Sequence, residues 1–243
     1  MKWLLASPSA DDFIRLLKAW RFWVLGVLLG ALIGAATYYL FPPPYRAQAT
    51  VVVDFNLEQA WPQETDRQLF YYLERETRKL VEVAWSDAVL EAVTARVGDV
   101  SVSDLRAGKL LLSQPGEGGW HFWADDPDPA RAAQLASTWA EAFGERAQQG
   151  VTAALHLEAL RTSLQTQCEC QNAPDLQAQI QALESQSLGI SPYIQVGVSQ
   201  AAEMPLRRKT GLGTYLLAGA VSALALGAFL ILFVDWKGLR RAS

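Results

Sequence analysis

The chain has 243 residues, 51% of them apolar, and carries 25 acidic against 21 basic side chains for a formal charge of −4. This length fits one sizeable domain plus accessory segments. The acidic balance excludes the strongly basic surface on which nucleic-acid binding normally depends.

Residues 1–21 read as a tail in which "SADDFIRLLKAWR" is expected to form a short amphipathic helix. A charge-free apolar run follows at 22–41, and a second occupies 211–234. Each has about 20 residues or more, which as a helix crosses a hydrocarbon core of roughly 30 Å. Trp20, Trp23 and Trp236 flank one end of these runs, and Tyr38, Tyr39 and Tyr45 the other, as in an interfacial aromatic belt. Ala47-Gln48-Ala49 has the small-x-small form of a signal-peptide cleavage site. However, the run is longer than a signal core of about 7–15 residues, and 21 residues precede it. Retention as a membrane anchor is therefore expected.

Both tails carry a net charge of +2, whereas residues 42–210 hold 14 basic against 22 acidic side chains. Short basic tails stay cytoplasmic while a long domain crosses regardless of its charge. The sequence thus predicts two spans, cytoplasmic termini and an extracytoplasmic domain. Arg207, Arg208 and Lys209 abut the second span on the outer side and are candidate contacts for lipid headgroups. Gly26, Gly30 and Gly34 in the first span, and Gly219, Ala223 and Gly227 in the second, form strips of small residues four apart. Such strips allow close helix packing in a membrane. The partner could be the other span, a neighbouring subunit or another protein.

Between the spans, Pro42–Pro44 lead into a strand, Tyr45 to Phe55, and a helix is expected from Glu64 to Val97. A helical turn and a strand at Lys109–Ser113 follow, then the turn "PGEGG" and the strand "WHFWAD". Asp125, Asp126 and Asp128 read as caps of a long helix continuing to about Gln171, rather than as paired catalytic carboxylates. A return helix is expected at Asp175–Ser187, and a final strand across "ISPYIQVGVSQAAEMP" that pairs with the first. The base domain is thus predicted over 42–126, the helical arm over 127–188, the last base segment over 189–210, and a second tail over 235–243. The apolar stripe of the long helix outruns what the base can cover, which predicts a homo-oligomer; Trp139 and Phe143 are candidate contacts between its subunits, or pack instead on the sheet of their own chain.

Catalytic chemistry is not apparent. His121 and His156 have no further ligand at metal spacing, and no serine sits in a nucleophile elbow. Cys168 and Cys170 fall at the arm tip as exposed thiols, as a metal site, or as a candidate inter-subunit disulfide.

"YRAQATVVV", "WSDAVLEAV", "ADDPDPARAAQLASTWAEAF" and "VSQAAEMP", in this order between two spans, resemble the polysaccharide co-polymerases, the Wzz-type chain-length determinants. The resemblance implies an α+β fold in which two transmembrane helices flank an extracytoplasmic base domain with a protruding helical arm. It also implies a non-enzymatic, cofactor-free ring in the cytoplasmic (inner) membrane. Such a ring sets the length of an O-antigen, capsule or exopolysaccharide chain together with a separate polymerase and a lipid-linked glycan. Two features depart from the family: only Pro205 stands before the second span, and no GxxxxGK[ST] phosphate loop occurs, so a tyrosine kinase would be a separate chain. The competing reading is a membrane-anchored ligand-binding or signalling partner of such a kinase.

Overall fold

In the computed structural model, residues 20–60, 69–113, 119–166 and 173–239 are described. The chain divides into two units. One, from Tyr45 to Leu206, holds an antiparallel sheet and the helices packed on it; the other joins the segment up to Pro44 with that from Arg207 onward.

The sheet follows from alternation. In β1, Tyr45–Asp54, the residues Ala47, Ala49, Val51 and Val53 turn inward, while Arg46, Gln48, Thr50 and Val52 turn outward. In β3, Gly119–Asp126, Trp120, Phe122 and Ala124 turn inward. With β2, Leu110–Ser113, and β4, Gln195–Val196, the spatial order is β2-β3-β1-β4. The register sets Ala47 opposite Ala124 and Thr50 opposite His121.

Three alanines leave the inner face shallow, and large side chains from helices fill the space. The long helix, Pro129–Thr166, buries Ala132, Leu135, Ala136, Trp139, Ala140 and Phe143 there. Trp139 meets Phe122 and Trp85 edge-on at 4.8 and 4.9 Å, and donates from Nε1 to the Ala84 carbonyl at 2.9 Å. Phe143 stacks on Trp120 at 5.6 Å. Both side chains are 0% exposed, which corrects their expected place between subunits: the sheet of their own chain consumes their surface.

Most expected elements are present with altered ends. The helix expected over 64–97 is two: Leu69–Ala84 and Asp87–Val97, and the expected residues 64–68 lie outside the described ones. Ser86 adopts an extended conformation and accepts from the Val89 N–H, starting the second helix afresh. Gly98, at φ 70°, ends it by donating to Thr94 O. The acidic run divides its labour. Asp126 and Asp128 accept from the backbone N–H groups of Asp128 and Ala130 at the long helix's start, but Asp125 turns outward to Arg46. The expected final strand shrinks to β4, with one further bridge, Thr50 to Gln200. Pro192 has no N–H to offer a ladder, and residues 197–199 belong to no strand.

The return helix, Ala173–Ser187, packs along the long helix. Arg161 pairs with Glu184 at 2.6 Å, and Ala153, Ala154 and Leu157 are buried along this contact. The stripe expected to await a partner is thus largely covered within the chain. Leu155 and Leu164 remain exposed. Gly150 stands where the two helices close: a Cβ there would lie 2.9 Å from Ile190 Cδ1 and 3.2 Å from Ser187 O.

Glu76 is a carboxylate with 0% exposure. Its Oε1 accepts from Lys79 Nζ at 2.7 Å and Arg75 Nε at 3.1 Å, and its Oε2 accepts from the Ser191 N–H at 3.0 Å. Lys79 also donates to Gly189 O, and Tyr72 donates to Ser191 Oγ at 3.0 Å. A buried charge is tolerable only with such partners. The cluster fastens the segment leaving the return helix to the helix Leu69–Ala84. Glu76→Leu should lower unfolding stability by about 3 kcal/mol, because the Ser191 N–H and two cations lose their acceptor. Glu74→Gln, which removes an exposed pairing with Arg78, should cost under about 0.5 kcal/mol. Denaturant unfolding of the solubilised chain measures both, and equal losses would contradict the assigned role.

Candidate functional site

The first apolar helix, α1, spans Trp20–Leu40, and the last, here αC, spans Leu212–Leu239, running past the expected end at Val234. Both are long and apolar enough to cross a membrane. Their large side chains face outward: Leu25, Leu32 and Phe229 are 64%, 67% and 61% exposed. A core helix of a water-soluble protein buries such residues.

The helices pair antiparallel through their small residues. A Cβ on Gly30 would overlap the Gly219 carbonyl and lie 2.6 Å from Ala223 Cβ. One on Gly34 would overlap the Tyr215 carbonyl, and one on Gly219 would overlap that of Gly30. At this crossing, backbone meets backbone with no room for a side chain. Gly227 lies farther along, under the ring of Trp23, where an added Cβ would sit 3.2 Å from Cζ3. Gly26 meets nothing within 4 Å. The partner of Gly30 and Gly34 is therefore the other apolar helix of the same chain, and Gly26 stands outside the crossing.

The linkers join at one end of the pair. Tyr38 packs edge-on against Tyr215 at 5.4 Å and against Tyr39 at 5.6 Å. Beyond them Arg208 Nη1 donates to Pro43 O at 2.8 Å and the Lys209 N–H to Pro44 O at 2.9 Å. The candidate headgroup contacts thus come together at this end, with Arg207 and Lys209 exposed and Arg208 half-buried. Cys168 and Cys170 lie outside the described residues, as do 1–19 with most of the expected amphipathic helix.

The outer sheet face, which the sequence reading did not single out, carries an ordered polar array. Arg46 grips Asp125 with two hydrogen bonds, 2.6 and 2.8 Å, and lies 5.8 Å over the Trp123 ring. The hydrogen bond to Asp125 raises the guanidinium pKa above its ordinary value. His121 Nδ1 lies 2.7 Å from Gln48 Nε2 and 3.1 Å from Thr50 Oγ1, an arrangement in which the ring nitrogen accepts. Only the cross-strand register brings these residues together. Each charge or polar nitrogen here is matched by a neighbour, which suits strand cohesion better than catalysis. An open groove of about 790 Å³ lies beside the long helix, lined by Arg146, Gln149, Thr152 and His156 with Leu183 and Gln186. Among the described residues no group of three His, Cys, Asp or Glu side chains could hold a metal ion.

No protein-family model matches the chain, and no curated protein sequence matches it. A solved structure described as a full-length bacterial polysaccharide co-polymerase is similar over 93% of this chain and 97% of that one, at 11% sequence identity and a TM-score of 0.36. A likeness this distant carries no functional conclusion.

The crossing makes a selective prediction. Gly30→Leu should cost about 1–3 kcal/mol, because the helix backbones must separate. Gly26→Leu should be neutral, since open space surrounds that position. Thermal unfolding in mild detergent compares them, and equal effects would contradict the observed packing.

Proposed function

We propose that this protein is a non-enzymatic scaffold, anchored by two membrane spans, that regulates chain length or export of a surface polysaccharide made by a separate polymerase. The observation that carries the reading is the antiparallel pair of apolar helices closed on Gly30 and Gly219, which brackets an α+β unit with a long helix. The local sequence resemblances described above give that architecture its functional class. Neither apolar run contains an Asp, Glu, Lys, Arg or His between Phe22 and Phe41 or between Gly211 and Val234. This speaks for a structural anchor over a proton or ion pathway.

In this reading both termini are cytoplasmic, the unit from Tyr45 to Leu206 is extracytoplasmic, and copies of the chain assemble into a ring. Exposed apolar residues support assembly: Leu155 and Leu164 on the long helix, and Val198, 86% exposed, beside β4. In cells that make a surface polysaccharide through this protein, deleting it should broaden or shift the chain-length distribution and leave sugar composition unchanged. Gel profiles of the polymer test this, and an altered repeat unit would point to an enzyme instead. Cysteines placed at positions 2 and 242 should resist a membrane-impermeant maleimide in intact cells, whereas one at Ser199 should react. Labelling at either terminus would overturn the topology. Mass measurement in mild detergent should give a multimer, and a clean monomer at about micromolar concentration would contradict the ring.

A further inference from the structure

We infer that the groove between the long helix and the return helix is a binding site for an acidic sugar unit, a hexuronate presenting a carboxylate and ring hydroxyls, an assignment that rests on reading the protein as a scaffold for a surface polysaccharide. Shape, charge and hydrogen-bonding capacity of the groove point to the same ligand.

The cavity measures about 790 Å³, within the roughly 300–1,000 Å³ of sites that hold small organic ligands. Arg146, Gln149, Ala153 and His156 recur every three or four residues and so share one face of the long helix. The rise from Arg146 to His156 is about 15 Å. Leu183 and Gln186, three apart on the return helix, form the facing wall.

Charge selects the sign of the ligand. The surrounding segment, 42–210, is acidic, with 22 acidic against 14 basic side chains. Within the groove the balance reverses. Among the described residues of its lining the one carboxylate is Glu145, and Arg96 from the helix Asp87–Val97 already holds it at 2.6 Å. Arg146 has no carboxylate partner among the described residues; its Nη1 donates to Gln149 Oε1 at a long 3.4 Å. Its guanidinium therefore keeps donors for an anion. A carboxylate fits that planar fork through two parallel N–H···O bonds.

The remaining lining selects what carries the carboxylate. Gln186 and His156 have no hydrogen-bond partner among the described residues. A carboxamide both donates and accepts, as a sugar hydroxyl does. Ala153 and Leu183 offer apolar surface to the C–H groups of a sugar ring. A small inorganic anion would use Arg146 and leave the amides idle. A neutral sugar would use the amides and leave Arg146 unpaired. A hexuronate uses both.

The test titrates the full chain, in mild detergent, with trigalacturonate and with its methyl ester, which keeps the ring hydroxyls and loses the charges. Calorimetry should show the acid bound about tenfold more tightly than the ester. Arg146→Gln should weaken binding of the acid by about tenfold to 100-fold and abolish the preference over the ester. Gln186→Glu, which sets a negative charge on the facing helix, should weaken the acid and spare the ester. Arg78→Gln, on the helix Leu69–Ala84 and outside the groove, should change neither. Absence of trigalacturonate binding at millimolar concentration, equal affinity for acid and ester, or unchanged affinity in the two groove variants would overturn the site. The deletion phenotype tests the scaffold reading separately. A shifted chain-length distribution with no trigalacturonate binding removes the groove alone; an unshifted distribution with binding intact removes the scaffold reading alone.

Discussion

The structure depends on one close approach: the backbone of Gly30 against the backbone of Gly219, with Gly34 against Tyr215 beside it. Within lipid there is no hydrophobic drive to bring helices together, so association relies on van der Waals contact, which grows as the axes approach. Any side chain at the crossing would hold the axes apart. The pairing fixes the distance between the ends of the two helices, and the tyrosines at 5.4 Å and the tethers from Arg208 and Lys209 extend that closure into the linkers. A chain that leaves at Pro44 must therefore return at Arg207 close by.

The other unit solves a complementary problem, a shallow sheet with Ala47, Ala49 and Ala124 on its inner face. Trp139 and Phe143 reach down from the long helix to fill the volume the alanines leave, and Phe122 and Trp120 rise to meet them. Small residues on the strands and large ones on the helix keep the interior dense without overpacking. The segment returning from the helical pair buries Ile190 and Ile194 in this core. Polar groups fasten it further, Ser191 on Glu76 and the Ala202 N–H donating to Ser137 Oγ at 2.8 Å.

The sequence displays some of this plainly and hides the rest for identifiable reasons. The apolar helices and the alternation in "WHFWAD" are visible because each is a strong periodic or compositional signal. The strip of glycines is equally visible, but it does not say which glycines are used, since Gly26 and Gly30 have the same spacing and different surroundings. The break at Ser86 carries a capping signal, Ser-Asp, yet the 3.6-residue apolar period runs through it from Leu80 to Val89 and favours one helix. Trp139 and Phe143 read as an outward stripe because the alanine-floored sheet that receives them is separated from them in sequence. Glu76 is the hardest case: a glutamate among Arg75, Arg78 and Lys79 resembles a solvated helix face, and only the distant Ser191 gives it a reason to be buried.

That the two apolar helices of one chain close on each other in the bilayer is tested directly by cysteines in place of Tyr38 and Tyr215, whose side chains already meet across the pair and leave the glycine crossing intact. With Cys168 and Cys170 replaced by serine, mild oxidation in native membranes should form a bond within single chains, leaving the monomer mass unchanged, while cysteines at 32 and 215 should not, since Leu32 is exposed. Cross-linked dimers from the 38–215 pair, without the internal bond, would show that the helices pair with a neighbouring chain and would contradict the close approach of Gly30 and Gly219 within one chain.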